Sequence, residues 1–228
     1  AGLIVENPDD PKRPTNSPKA VYQIERGALE LIRTYGTPGW NRNLRGYLAS
    51  VKTLAQRYAR EREMKRIPVQ IGEGQTITLS PGGQNVLVEQ IIKEFGPRFT
   101  PGGRVIYVGD TDEKFAFFDE RLLENLGVKI EAHGKMPDVV IYYPDRNWLV
   151  LIEAVTSHGP VDPKRRGELS TLFKDSKAGL VFVTAFLTRR AMVEYLSEIS
   201  WETEVWVAEA PSHLIHFNGE RFLGPYEP

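Results

Sequence analysis

Cysteine is absent from all 228 residues. That excludes disulfides, thiolate zinc sites and cysteine nucleophiles together, and leaves oxygen and imidazole as metal ligands. Also missing is any apolar run of about eighteen residues, so no membrane-spanning helix is expected. The first ten residues lack the charged-then-apolar order of a signal peptide, and the expected setting is the cytoplasm. No internal repeat or low-complexity tract is visible. The chain opens Ala-Gly rather than Met, which points to an upstream portion that has been removed.

Net charge is also scarce, at −1, which alone argues against a nucleic-acid binder. Its distribution argues the other way. Between Arg42 and Arg66 eight basic residues face two acids, so this segment carries +6 and the remainder −7. Such asymmetry fits an anion-binding face on an otherwise acidic body. With 41% hydrophobic residues the chain has ample material for a packed core.

Pro8, Pro11, Pro14 and Pro18 make the first nineteen residues read as an extended arm. Val21, Ile24, Ala28, Leu31 and Ile32 follow helical spacing and predict a helix over 20–35, with Gly36 as its stop. A second helix carries the stripe Leu44, Tyr47, Leu48, Val51, Leu54, Ala55 and Tyr58, with Arg42, Arg45, Lys52 and Arg60 near the other side. That side is either a solvated face or one that touches phosphates. Val69 to Leu79 reads as a hairpin around Gly-Glu-Gly, and a helix is expected over 85–95. Beyond it the pattern predicts strand 104–109, helix 115–126, strands 128–132, 138–143 and 148–155, helix 163–175, strand 179–185, helix 189–199 and strand 202–208. This is a mixed α/β arrangement. A boundary near residue 67 divides a basic helical part, 1–66, from the α/β part, 67–228.

Within "PDVVIYYPDRNWLVLIEA", residues 137–154, two apolar runs suited to a buried sheet each hold one carboxylate, Asp138 and Glu153. Pro144-Asp145-Arg146-Asn147 between them is a turn signal. A loop of two or four residues pairs Tyr143 with Trp148 and sets Asp138 opposite Glu153, with Cβ atoms about 4.5–5.5 Å apart. A loop of three or five would turn them to opposite faces. Two neighbouring buried anions need compensation: a divalent ion such as Mg²⁺, a shared proton, or a Lys/Arg partner.

Pro137-Asp138, then Glu153-Ala154-Val155, resembles the PD-(D/E)xK nuclease signature, and the predicted helix 115–126, three strands, helix and strand resemble its αβββαβ core. "RPTNS", "YVGDTDEK", "GKMPDVV", "NWLVLIEAVTSHGPVDPKR", "VTAF", "WETEVWVAE" and "IHFNGERFLGP" resemble the BsuBI/PstI family of type II restriction endonucleases, in order and over nearly the whole chain. The resemblance implies a Mg²⁺-dependent enzyme that cuts double-stranded DNA at a short palindrome as a homodimer, on a mixed sheet flanked by helices. Family members are longer at the N-terminus. It implies Asp138 and Glu153 as metal ligands, with the Ala154 carbonyl as a third oxygen. The usual motif lysine is replaced by Val155, which leaves the basic role open among Lys114, Lys135 and Lys164, with Arg165, His158 or no basic group as the remaining choices.

Asp110 is either an additional ligand at a strand end or a helix N-cap. Ser157 and His158 either touch DNA backbone or merely form a turn, and Lys164, Arg165 and Arg166 near a helix start suit phosphates or a solvated cluster. Asn16 and Ser17 in "TNS", with Arg42 and Arg45, are candidate DNA contacts. His213 and His216 read as structural, because residues three apart in an extended segment face opposite ways. Trp201 and Trp206 read as core or interface. The rival readings are a catalytically inactive DNA-binding module and a structure-specific nuclease on the same fold.

Overall fold

The computed structural model describes residues 3–10, 13, 17–111, 115–129, 135–156 and 159–217, with the backbone alone for 52–62. The chain divides into two units, Ala1–Lys65 and Arg66–Pro228.

In the first unit, β1 (Ile4–Glu6) pairs antiparallel with β2 (Tyr22–Ile24). The Asn7 side chain closes this ribbon by accepting the Val21 N–H at 2.9 Å. Two helices follow, α1 (Arg26–Ile32) and α2 (Trp40–Glu63). Part of the expected arm and the front of the expected 20–35 helix are therefore strands. Ile24 fits a helical stripe, but β-branched and aromatic neighbours suit a two-stranded ribbon better. Glu25 then caps α1, accepting the Ala28 N–H at 2.8 Å.

The second unit begins with the hairpin β3 (Ile67–Gly72) and β4 (Gln75–Leu79). Helix α3 (Gly83–Gln90) runs on through a widened π turn, Ile91–Phe95, into α4 (Gly96–Phe99). Gly96-Pro97 does not end the helix where expected, because proline is tolerated in a first helical turn. Seven strands then form one mixed sheet among the described residues: β5 (Arg104–Val108), β6 (Phe117–Phe118), β7 (Val139–Tyr143), β8 (Trp148–Val155), β9 (Gly179–Phe186), β10 (Thr203–Val207) and β11 (Leu214–Phe217), in spatial order 11-10-9-8-7-5-6. Strands 8, 9 and 10 are parallel and the other neighbours antiparallel. The connections carry α5 (Glu120–Asn125), α6 (Pro163–Leu172) and α7 (Arg189–Tyr195).

Three differences from expectation matter. The front of the predicted helix 115–126 is strand β6, and Asp119 starts α5 by accepting the Leu122 N–H at 3.0 Å. No strand forms at Val128–Lys129; the rest of the predicted strand 128–132 lies outside the described residues. The helix–strand–strand–strand–helix–strand core is instead α3/α4, β5, β7, β8, α6 and β9. β11 was not anticipated at all.

The continuous apolar runs of β7 and β8 arise because both faces of the sheet are covered. Val139, Ile141, Val150, Ile152 and Ala154 pack toward Leu87, Ile91 and Phe95. Val140, Leu149 and Leu151 pack on the other side with Leu123, Leu169 and Phe173. Each such side chain contributes about 1.5–3 kcal/mol by leaving water. Trp206 is fully buried whereas Trp201 is 65% exposed.

Candidate active site

The turn between β7 and β8 has four residues: Pro144–Arg146 form a 3-10 turn and Asn147 takes a left-handed conformation, φ 51°. Asn147 steadies it by donating to the Lys177 carbonyl at 2.9 Å. Tyr143 pairs with Trp148 and Val139 with Ile152, so the next step outward brings Asp138 and Glu153 face to face, close enough for each carboxyl to act on the other's charge. The end of β5 braces this point, since the Gly109 N–H donates to the Asp138 carbonyl at 2.8 Å.

Asp138 is held from two directions. Its Oδ2 accepts the Ala154 N–H at 2.7 Å, and its Oδ1 accepts from Gln84 Nε2 of α3 at 2.7 Å. Glu153 meets Arg165 at the start of α6: Nε donates to Glu153 Oε1 at 2.8 Å and Nη2 lies 2.7 Å from the same oxygen. Asp162 sets that helix start by accepting the Arg165 backbone N–H at 2.6 Å. Burial pushes the Glu153 carboxyl up to about 7; the adjacent Asp138 charge adds to the rise and Arg165 opposes it. Burial likewise raises the Tyr107 phenol, helped by the Asp138 charge. The Arg165 guanidinium thus pairs with Glu153, while Asp138 is held by Gln84 and the Ala154 N–H. Among the described residues no third His, Asp or Glu joins them in a metal-ligating cluster.

A cleft of about 630 Å³ opens beside the pair, lined by Gln84, Lys135, Asp138, Glu153, Lys164 and Arg165 among others. Lys135 and Lys164 are exposed, and the Lys164 ammonium lies 3.9 Å from Glu168. Lys114, Ser157, His158 and Asn16 lie outside the described residues. Ser17 forms a turn, its hydroxyl accepting the Lys19 N–H at 3.2 Å, while Arg42 and Arg45 are exposed on α2. Arg165 directs its guanidinium to Glu153, Glu168 and the Lys135 and Met136 carbonyls. Ala154 sits in β8 in register with Ala185 of β9.

Val155 is 3% exposed and packs against Phe186, Met192 and Val205. Asp110 stands two residues past the end of β5, and residues 112–114, where a helix capped by it would begin, lie outside the described residues. The Asp110 carboxylate accepts from the Ser80 N–H, the Ser80 hydroxyl and Asn85 Nδ2 at 2.7–2.8 Å, which secures the approach to α3 and hence Gln84. Gln84 was invisible to sequence reasoning, because nothing local marks a residue 54 positions before Asp138 as its partner. Of the discounted histidines, His216 pairs with Glu204 across β10 and β11, and His213 meets Ser212.

Sheet, cleft and acid pair together define an α/β domain of the restriction-endonuclease class. Residues 67–220 match the BsuBI/PstI restriction endonuclease domain and residues 1–56 the BsuBI/PstI restriction endonuclease HTH domain. The chain is 62% identical over 227 residues to the type II restriction enzyme BsuBI of Bacillus subtilis, covering 100% of this chain and 72% of that protein. It is 35% identical to the type II restriction enzyme AplI of Arthrospira platensis, covering 98% and 70%. The solved structure of the SdaI restriction endonuclease superposes with a TM-score of 0.69 at 44% identity, covering 100% of this chain and 72% of that one. The chain belongs to the BsuBI/PstI restriction endonuclease family.

Proposed function

We propose that this chain hydrolyses phosphodiester bonds of double-stranded DNA at a short palindromic site, in the cytoplasm, as a Mg²⁺-dependent homodimer. The observation that carries this reading is the juxtaposition of Asp138 and Glu153 at a cleft, with the Arg165 guanidinium paired to Glu153. The donors are all oxygen, which suits a hard cation that keeps water and phosphate as further ligands. Asp138, Glu153 and the Ala154 carbonyl would hold the ion. Asp110 is a further candidate, engaged by Ser80 and Asn85. When bound, Mg²⁺ supplies a more acidic water and stabilises charge on a phosphoryl oxygen.

The protein's own groups have separate tasks. Gln84 and the Ala154 N–H orient Asp138. The lysines Lys135 and Lys164 draw the DNA backbone into the cleft, and one of Lys114, Lys135 and Lys164 serves as the basic group absent at Val155. Ser157 and His158 follow β8 and contact the backbone there. Residues 1–66, with Asn16, Ser17, Arg42 and Arg45, supply recognition, and residues 67–228 supply catalysis. A twofold dimer matches a palindrome because each protomer meets an identical half-site.

The test is plasmid digestion with Mg²⁺ by Asp138→Ala and Glu153→Ala proteins. Both are expected to bind DNA and cut nothing; normal cutting by either refutes the metal-site reading. The burial of Val155 favours a second reading, a nuclease fold that binds without cutting. Discrete fragments from the parent protein exclude it, and they also exclude structure-specific cleavage, which gives no sequence-defined bands.

A further inference from the structure

The motif lysine's place is taken by a buried valine, yet a cation still reaches Glu153 from another element. Arg165 does more than neutralise Glu153. Its Nη2 donates to the Lys135 and Met136 carbonyls at 3.2 and 3.1 Å, and its Nη1 lies 3.4 Å from Glu168 Oε2. Lys135 and Met136 are the residues leading into Pro137-Asp138. One side chain, itself only 18% exposed, therefore ties the strand bearing Glu153, the segment that delivers Asp138 and the first turn of α6. Both its Nε and Nη2 approach Glu153 Oε1, which leaves Oε2 on that carboxylate for other partners.

We infer that Arg165 is a positioning residue for the metal site: its planar fork sets the separation and orientation of Asp138 and Glu153 rather than contacting substrate. This rests on the proposed function above. Lysine cannot reproduce it, because an ammonium lacks the fixed fork that reaches a carboxylate and two carbonyls together. Groups that orient metal ligands through hydrogen bonds typically alter metal affinity by about 10–100-fold when removed.

The test is Mn²⁺ binding to the whole protein without DNA, read by electron paramagnetic resonance, for the parent, Arg165→Lys, Arg165→Ala, Glu153→Ala and the Glu153→Ala/Arg165→Ala double variant. Arg165→Lys and Arg165→Ala are expected to bind Mn²⁺ about tenfold or more weakly than the parent, and Arg165→Ala to cost less once Glu153 is gone, since only Asp138 is then left to position. Equal or tighter binding by the Arg165 variants overturns the inference, as does an independent loss in the double variant. If Arg165→Ala fails to fold, Arg165→Lys, which keeps the charge and stem, decides alone. Unchanged binding by Glu153→Ala would instead strike the metal-site reading itself, so the two failures are distinguishable.

Discussion

Replacing Glu153 by Gln should change how stability depends on pH. The Glu153 carboxyl is raised from 4.5 to about 7 in the folded chain, with burial as the main cause. The folded state therefore holds this proton more tightly than the unfolded state. The resulting stabilisation is fully present below about pH 4.5, declines as pH rises, and is gone once pH passes about 7. The difference corresponds to about 3 kcal/mol, and with the side chain only 14% exposed, solvent screening removes little of it. For a unit of this size that is roughly 6–12 °C in Tm. Thermal melts in EDTA from pH 4.5 to 8 should show the parent losing this much more than Glu153→Gln, whatever offset the variant has from losing its pairing with Arg165. Comparing slopes cancels the other titrating groups. Saturating Mg²⁺ should abolish the parent's loss, since the ion binds the anionic pair and displaces the proton. Parallel melting curves for the two proteins across the range would refute the reasoning.

Val155→Lys should not restore a motif lysine. It would bury an ammonium among Phe186, Met192 and Val205 and lower urea stability by about 3 kcal/mol or more; a stable, more active variant would contradict this packing. Asp110→Ala should cost about 2–4 kcal/mol in chemical denaturation, because Ser80 and Asn85 are each 1% exposed and lose their acceptor. Arg42→Ala and Arg45→Ala should each reduce the slope of log affinity against log salt by about 1 if each side chain meets one phosphate; filter-binding across a salt series reads this directly, and an unchanged slope assigns these arginines to a solvated face.

Much of the site was legible because it rests on local rules. Apolar runs along 139–143 and 148–155 mark strands, and a loop of two or four residues between them sets Asp138 opposite Glu153. Long apolar runs likewise announced strands covered on both faces. The misreadings fall where a segment's state depends on what it packs against. Ile24 satisfies a helical stripe equally well, until Ile4 offers a strand partner. Phe117 and Phe118 look helical until β5 pairs with them.

The sequence by itself determined the two acids, the valine after them and the family, and left the pairing of the acids to the length of one turn, because strand geometry fixes which residues share a face only once the register is set. Only the tertiary structure decided which groups attend the acids. Gln84 comes from a helix 54 positions earlier, and Arg165 comes back across the sheet at the start of a crossover helix. Those meetings depend on loop closure and packing of whole elements, which no local periodicity records.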